Sequence, residues 1–387
     1  MKIRGRVVVL AVSMAVVAFA VVGGFMSKAI ARQDSYQYLR TFEDVVSLIM
    51  NNYVEDVNVD KVMRGAMHGL ADGLDPDSAF LDAAQVKVFE KGDLGSGQTG
   101  LELTRQYYLR VIAARDGSPA ARAGLMPGDY IRAIDGQSTR DTSVYEGQRL
   151  LRGQPGTKVH LTLLRGNAAE PHELDLVREE LPALAVKSRM AAPGVGYMRI
   201  AEFGKGTPEQ IKNEVSSLAK AGAKNLIVDV RGTAFGDVDA GLAAARLFVK
   251  SGVLAYRQDR GREKEAVSAA ATDGSIAIAT TVLTDNGTSS GAEVFAAALS
   301  GNKRARLVGE RTLGRAARQK LVRLPDGSAL MLTHLVYLTP ASVAIHEKGL
   351  TPDVAVEQPD VDFGQPAPAK DATLDKAIEQ LTVKAAA

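Results

Sequence analysis

The chain has 387 residues, which is enough for about two or three domains, and 46% of its residues are apolar and 24% charged. This composition is typical of a globular protein and excludes a disordered one. The formal net charge of +2 leaves no basic excess to neutralise phosphates, so we expect no nucleic-acid partner. The absence of cysteine excludes disulfides, thiol catalysis and cysteine-ligated metals. The five histidines lack paired spacing, so we expect no metal site and no cofactor.

The first thirty residues predict a membrane-targeting segment. Three basic residues among the first six precede an uncharged, mostly apolar run from Val7 to Met26, which as a helix would span about 30 Å, the thickness of a hydrocarbon core. Because the positive charges precede the run, we expect the working part of the chain to be extracytoplasmic, in the periplasm or outside the cell. The Ala-Ile-Ala sequence at 29–31 fits a cleavage site. Residues 1–31 are therefore a signal-anchor, which we favour, or a cleaved signal peptide.

Residues 33–91 predict an N-terminal helical segment. Apolar residues recur at spacings of three and four, as on one face of an amphipathic helix. They are Phe42, Val45, Val46, Ile49 and Met50, and the pattern returns at Val62, Met63, Met67 and Leu70. The stretch G-L-A-D-G-L-D-P-D-S, residues 69–78, then indicates a polar connection. No enzyme chemistry follows from this segment alone.

Residues 92–168 predict a small β domain, because short alternating runs are separated by glycine-containing turns. The stretch S-P-A-A-R-A-G-L-M-P-G-D-Y-I-R-A-I-D-G, residues 118–136, resembles the PDZ domain of the protease-associated type. The resemblance implies a carboxylate-binding loop at Gln98, Thr99, Gly100 and Leu101. Backbone N–H groups at a glycine turn bind a terminal carboxylate, and the adjoining sheet edge pairs with the peptide. A domain used only for packing is the alternative.

Residues 181–358 predict an α/β layer, because strand and helix patterns alternate along them. The predicted strands are 196–203, 225–231, 276–283 and 306–311, the predicted helices are 207–221, 237–250 and 291–300, and a hairpin is predicted from 320–324 to 328–338. Ligands in such a layer are expected at strand-to-helix turns. Residues 359–387 form a Pro/Ala/Asp-rich tail that could end in a short helix.

One strand-to-helix turn carries a pair of serines. The stretch T-D-N-G-T-S-S-G-A-E-V, residues 284–294, places a serine at a helix N-terminus, whose free N–H groups stabilise developing negative charge. Taken alone, a serine before a helix is far more often a cap than a nucleophile. The neighbouring motifs make the nucleophile the preferred interpretation.

From about Tyr38 to Val356 the chain resembles the carboxyl-terminal processing peptidases, also called tail-specific serine proteases. The lead-in ending in G-L-D-P-D-S, the inserted PDZ domain and the motifs D-V-R at 229–231, G-E-R-T at 309–312 and K-G-L-T-P-D at 348–353 fall in the family's order. The resemblance implies an α/β core of the crotonase and Clp protease kind. It also implies a serine nucleophile, a lysine general base and a glutamine that orients the lysine.

The resemblance assigns these catalytic positions. The nucleophile motif G-S-A-S-A-S-E-I falls on residues 287–294 and makes Ser290 the nucleophile. The base motif G-E-R-T-F-G-K-G falls on residues 309–316 with Arg315 at the lysine position, and Gln319 matches the glutamine. Arginine keeps its proton in a protein, so Arg315 cannot be the base. It could hydrogen-bond Ser290, but it would leave the hydroxyl unactivated, at a cost of roughly 10²–10⁴-fold or more in rate.

The implied oxyanion loop departs from the family pattern as well. The motif R-N-N-P-G-G falls on residues 231–236, where Phe235 replaces a glycine and Gly236 remains. Gly236 and Gly291 are the implied oxyanion hole. A phenylalanine restricts positive φ and adds bulk where a peptide carbonyl approaches, which predicts a second defect. Lys320 is the nearest candidate for a displaced base, although a solvent-facing strand lysine is the more ordinary explanation.

Three functions remain open from the sequence. The first is an extracytoplasmic homologue of these peptidases that binds protein C-terminal tails through its PDZ domain, with impaired proteolysis, as a pseudopeptidase or a regulator. The alternative is an active serine endopeptidase that cleaves near C-termini using Ser290 and a displaced base. A small-ligand binder built on the same core is the weakest. Expected partners are protein or peptide C-terminal tails and, by resemblance, a second copy or an active paralogue.

Overall fold

The computed structural model describes residues 36–92, 94–166, 170–359, 361–365 and 368–383. The predicted signal-anchor at 1–31 lies outside these residues. The chain divides into two compact units between Met67 and His68. Residues 36–52 form helix α1, and α2 is Val59–Asp72. No helix in the described part of the chain is long and apolar enough to cross a membrane.

The second unit begins with the end of α2 and a short strand and helix. Strand β1 is Ala79–Leu81 and helix α3 is Ala83–Lys91. The helix starts at Asp82 because the Asp82 carboxylate accepts from the Gln85 N–H while the Gln85 side chain accepts from the Asp82 N–H, a reciprocal capping box. Gly92 in the left-handed conformation ends it.

The PDZ sheet follows, and β2 is one of its two edge strands. Its strands are β2 (Leu101–Gln106), β3 (Tyr108–Ala114), β4 (Tyr130–Ile134), β5 (Gln137–Ser138), β6 (Lys158–Leu164) and β7 (His172–Val177), and its helices are α4 (Pro119–Arg122) and α5 (Val144–Leu151). The strand order is β2-β3-β4-β6-β7, with β5 paired to β4. Helix α5 packs beside β2 and β3 through Gly147, where a Cβ would stand 3.2 Å from Leu103 Cδ1 of β2 and 2.3 Å from Leu109 Cδ1 of β3. Strand β7 was not predicted, although Leu174 and Leu176 alternate with Glu173 and Asp175 in its sequence.

The α/β core is built on a six-stranded sheet with the order β19-β16-β15-β11-β9-β8. Its strands are β8 (Lys187–Ala192), β9 (Val195–Arg199), β11 (Asn225–Asp229), β15 (Ala279–Thr284), β16 (Ala305–Gly309) and β19 (Val354–Ala355). All neighbours are parallel except β8 and β9. Because successive strand residues face opposite sides, Leu226 and Val228 pack in the main core and Ile227 packs in the cluster that contains α9.

Four helices cover the two faces of this sheet. They are α6 (Thr207–Lys220), α7 (Val238–Arg246), α8 (Gly291–Gly301) and α9 (Ala372–Val383). Residues of α6, α7 and α8 share the main core cluster, whereas Ala377 of α9 lies in the other cluster. Burial on both faces explains why β11 is a continuous apolar run in sequence.

A second sheet, whose described strand pairs are all antiparallel, carries part of the site. It has the order β1-β18-β13-β14, with β17 paired to β18. Besides β1, its strands are β13 (Val253–Asp259), β14 (Glu265–Ser268), β17 (Ala317–Arg323) and β18 (Ala329–Leu338). A separate two-stranded parallel sheet is formed by β10 (Glu202–Phe203) and β12 (Phe235–Gly236). The predicted hairpin forms as β17 and β18, and β17 starts three residues earlier than predicted. The predicted fold class is confirmed, although several strands, among them β1, β8, β13, β14 and β19, were not predicted.

Candidate active site

Ser290 lies between β15 and α8, directly before the first residue of the helix. Its backbone has φ 55° and ψ −122°, and its side chain does not cap the helix. A positive φ is uncommon for a residue with a side chain, and such strain concentrates at functional sites. The geometry therefore argues against a plain helix cap and holds a half-buried hydroxyl at a helix N-terminus.

Half-buried Asp285 joins the two loops that meet at this serine. Its Oδ1 accepts a hydrogen bond of 2.8 Å from the Gly232 N–H. The Ser289 N–H donates to the Thr233 carbonyl at 3.0 Å. Burial raises the pKa of the Asp285 carboxyl, while the hydrogen bonds that it accepts from the Gly232 N–H and the Thr288 hydroxyl favour its charged form. The predicted oxyanion loop, residues 231–236, is thereby fixed against the serine turn.

Ser290 lines an open cleft of about 530 Å³. The cleft brings together three predicted site residues, Ser290, Gly236 and Gln319. Its other lining residues are Asp237, Val238, Ala317, Arg318 and His334. Neither Arg315 nor Lys320 is part of this lining, and Lys320 is exposed on β17.

Both predicted oxyanion glycines lie at positions that exclude a larger residue. A Cβ on Gly291 would stand 2.6 Å from the Asp237 carbonyl oxygen, and a Cβ on Gly236, whose φ is 105°, would stand 2.1 Å from the Phe203 carbonyl oxygen. Within the described part of the chain, the Gly291 N–H has no acceptor. A free amide at a helix N-terminus, directly after a serine, can stabilise an oxyanion.

Phe235 does not produce the second defect that the sequence predicts. The positive φ of this loop lies at Gly236, and Phe235 is not among the described residues with a positive φ. The Phe235 ring packs with Ile112, Ala113 and Ala234 and does not line the cleft. That expectation is wrong because the ring contacts strand β3 of the PDZ sheet instead of the approach to the serine.

Comparison with known proteins decides the family. The model of Peptidase family S41 matches residues 194–356, and a PDZ domain model matches residues 110–165. The carboxy-terminal-processing protease of Bartonella bacilliformis is 30% identical over 362 residues, which cover 89% of this chain and 83% of that protein. The chain belongs to the carboxyl-terminal processing proteases. This confirms the family identified from the sequence motifs.

Two further relatives of the family agree in extent and fold. The carboxy-terminal processing protease CtpA of Bacillus subtilis is 32% identical over 315 residues, covering 81% of this chain and 67% of that protein. The solved structure of the photosystem II D1 C-terminal processing protease is 28% identical, with a TM-score of 0.69, and the match covers 82% of this chain and 92% of that one. The likeness thus spans the PDZ domain and the α/β core together.

Arg315, which the resemblance places at the lysine position, binds two carboxylates outside the cleft. Its Nε donates to Asp77 Oδ2 at 3.0 Å, and its Nη1 donates to Glu102 Oε1 at 2.6 Å and to the Leu103 carbonyl at 3.3 Å. Burial opposes the charge, but Asp77 and Glu102 outweigh it and raise the pKa of Arg315. The expectation that Arg315 could hydrogen-bond Ser290 is wrong, because the guanidinium is already engaged.

These three residues, Arg315, Asp77 and Glu102, are called the Arg315 cluster below. Asp77 belongs to the connection before β1, Glu102 to β2 of the PDZ sheet, and Arg315 to the segment before β17. The side chains of Asp77 and Glu102 are only 5% and 22% exposed, so each carboxylate depends on the guanidinium for compensation. Burial raises the pKa of Glu102 even though Arg315 lowers it. The cluster joins three parts of the chain.

The resemblance implies that Gln319 orients the residue at the base position, but Gln319 has a different partner here. Its Nε2 donates to Thr333 Oγ1 on β18 at 3.2 Å. No hydrogen bond between Gln319 and Arg315 is recorded in the described structure. Gln319 therefore fixes β18 at the cleft and does not orient a base on its own strand.

Glu293 anchors the segment that carries Arg315. This buried residue in the first turn of α8 accepts hydrogen bonds from Thr312 Oγ1, from the Gly314 N–H at 2.6 Å and from the Arg315 N–H at 2.7 Å. Burial raises the pKa of Glu293 to about 7, against the opposing effect of these donors. The backbone at position 315 is thus set by the same helix that follows Ser290.

The predicted carboxylate-binding loop of the PDZ domain is partly occupied by its own backbone. Gln98 exchanges two hydrogen bonds with Glu179, with N···O distances of 2.8 and 3.0 Å. The Thr99 and Gly100 N–H groups have no acceptor among the described residues. The Thr99 and Leu101 side chains are buried. Of the four predicted residues, Thr99 and Gly100 therefore keep donors available for a peptide carboxylate.

Sequence patterns do not identify the carboxylates of the Arg315 cluster. Asp77 and Glu102 precede Arg315 by 238 and 213 residues, so no local spacing could connect them. Glu293 lies inside the matched serine motif, and its place in that motif is the one sequence feature that could have identified it as a site residue. His334 was also missed, because a single histidine in an alternating strand resembles an ordinary surface residue.

Replacing Arg315 with alanine should lower the free energy of unfolding by about 3–5 kcal/mol, because two poorly exposed carboxylates would lose their counter-charge. Urea unfolding of the full chain, followed by circular dichroism, measures this loss. The Arg315→Lys protein should fall between wild type and alanine, because an ammonium cannot reproduce the fork that reaches both carboxylates.

The matched control is Arg260→Ala. Arg260 is exposed in the turn after β13, and its side chain has no partner in the described structure. Its replacement should change the free energy of unfolding by less than about 0.5 kcal/mol. An Arg315→Ala protein as stable as this control would contradict the role of the cluster.

Glu293 should make stability depend on pH. Because burial raises its pKa to about 7, its contribution to the free energy of unfolding is fully present below the ordinary carboxyl pKa of about 4.3 and is lost as pH rises through 7. The wild-type advantage over Glu293→Gln should therefore fall between pH 4.5 and pH 7.5, by at most about 3 kcal/mol. Urea unfolding at several pH values measures this difference. A constant difference would show that Glu293 does not titrate in this range.

Proposed function

We propose that this chain is a serine endopeptidase that cleaves proteins close to their C-termini. The observation that carries the proposal is the strained backbone of Ser290, which holds its hydroxyl in an open cleft, directly before the free Gly291 N–H. A residue kept at φ 55° has an energetic cost of order 1–3 kcal/mol, which is expected to persist where the geometry is used. Membership of the family supports the same reaction.

Each described group has one part in this reaction. The Ser290 Oγ attacks the peptide carbonyl carbon, and the Gly291 N–H with the N-terminus of α8 stabilises the oxyanion that forms. Asp285 keeps the two loops in register for this step. Arg315 accepts no proton, so the base must come from another residue.

The PDZ domain is the proposed site for the substrate's tail. Strand β2 is the edge of its sheet, with α5 packed beside it. An extended peptide can pair with such an edge while the free Thr99 and Gly100 N–H groups bind its terminal carboxylate. Leu101 and Leu103 of β2 pack in the apolar core of the domain beside α5, and apolar tails are the proposed ligands of the groove between this strand and the helix.

A second candidate function is a peptide-binding regulator without proteolysis. The observation that favours it is the permanently charged guanidinium at the lysine position. Such a protein would bind C-terminal tails, or pair with an active paralogue or a second copy. Its failure to react at Ser290 would separate it from the peptidase.

The proposed location is extracytoplasmic. It rests on the basic residues that precede the apolar run from Val7 to Met26. Anchoring in the membrane through residues 1–31 is part of this proposal. Fractionation of cells expressing a tagged full chain would place it in the membrane with its C-terminus protease-accessible, whereas a cytosolic, protected chain would contradict the proposal.

A serine-reactive fluorophosphonate tests the catalytic part of the proposal. The purified full chain should be labelled at Ser290, and Ser290→Ala should remove the label. Ser289→Ala is the matched control, because its buried hydroxyl lies one residue away and has no partner in the described structure. That protein should keep its label. Absence of label from the wild type would favour the regulator.

The substrate part is tested with an unfolded reporter protein that ends in an apolar tail. The wild type should cleave it near the C-terminus, and Ser290→Ala should leave it intact. Amidation of the terminal carboxylate should raise KM several-fold with little change in kcat, because Thr99 and Gly100 would lose their ligand. Indifference to amidation would contradict tail recognition by this loop.

A further inference from the structure

Strand β18 carries a histidine into the cleft at an irregular position. On β17, Gln319 pairs with Thr333 and Arg318 pairs with Leu335, so His334 is an extra residue with no partner opposite it. Such a β-bulge bends its strand and re-aims a side chain, and bulges are frequent beside active sites. His334 lines the same cleft as Ser290.

The imidazole of His334 is available for proton transfer. It is half-buried, and neither nitrogen has a hydrogen-bond or ion-pair partner in the described part of the chain. Buried and half-buried imidazoles usually find such a partner, so this one is available to a reacting group. Imidazole is also the side chain that takes up and releases a proton near neutral pH.

The other polar groups of the cleft are already engaged. Arg318 pairs with Asp239 at 2.7 Å and with Asp237 at 3.3 Å, and it keeps its proton. The Asp237 carboxylate also accepts from the Asp239 N–H as the cap of α7. Gln319 has no basic nitrogen. Among the described residues that line the cleft, His334 alone combines a free nitrogen with basicity.

From this arrangement we propose that His334 is the general base for Ser290, in place of the lysine that Arg315 has replaced. The inference rests on the proposed peptidase function. The Oγ–H proton moves to an imidazole nitrogen as the Oγ–C bond forms. The imidazolium then gives this proton to the amine nitrogen as the C–N bond breaks. Water then attacks the acyl carbon while the same imidazole takes its proton, and the imidazolium gives that proton to Ser290 Oγ as the Oγ–C bond breaks.

Gln319 acts as a positioning residue in this scheme. Its hydrogen bond to Thr333 fixes β18 directly before the bulge that carries His334. The charged groups nearest to His334 in the cleft and in the strand pairing are Asp237, Arg318 and Asp259, and the neighbouring strands also carry Arg257, Lys320 and Arg323. They form the electrostatic surroundings in which His334 would take up its proton.

The test compares wild type, His334→Gln and His160→Gln as full chains. His160 is the matched control, since it is an exposed histidine on β6 that pairs with Asp175 and Glu173. The His334→Gln protein should lose about 10²–10⁴-fold in kcat and in the rate of fluorophosphonate labelling at Ser290, with KM little changed. His160→Gln should match the wild type.

The pH profile of the wild type supplies a test that needs no variant. The rate of fluorophosphonate labelling should fall as the pH is lowered below neutrality, because a protonated histidine cannot act as a base. A rate that stays flat between pH 5 and pH 8 would overturn the assignment of His334. So would a folded His334→Gln protein with full Ser290-dependent activity, and in both cases the proposed peptidase function would stand. A wild type that is neither labelled at Ser290 nor active would overturn that function as well.

Discussion

The pairing of one guanidinium with two carboxylates is the constraint that joins three distant parts of the chain and keeps Arg315 out of the cleft. Asp77, Glu102 and Arg315 come from the connection before β1, the PDZ sheet and the segment before β17. Each carboxylate is poorly exposed and would carry an uncompensated charge without the arginine. A permanently charged side chain therefore suits this position better than a lysine whose proton must leave.

In this site the groups that position the nucleophile and the oxyanion donor are independent of the group that transfers the proton. The strained Ser290, the Gly291 amide and the Asp285 bridge are all set by local turns and helix α8, and none requires the side chain at position 315. A base can therefore change its place in the fold while the nucleophile stays. The bulge at His334 and the hydrogen bond from Gln319 to Thr333 provide a position for the proposed base on β18, the strand next to β17.

Sequence patterns were sufficient where the chemistry is local. The α8 helix, the serine turn and strand β11 follow from caps, glycines and continuous apolar runs, and the family motifs place Ser290. They fail where partners are distant in sequence, as for the two carboxylates of Arg315. Phe235 illustrates the other limit, since its neighbours Ile112 and Ala113 become known only once the PDZ sheet is placed.

The direct measurement of the central claim is an experimental structure of the full chain at neutral pH that resolves the side chain at position 315. The account predicts a guanidinium within hydrogen-bond distance of both Asp77 and Glu102, with Ser290 Oγ free of it. A guanidinium turned into the cleft and bonded to Ser290 Oγ would contradict the account.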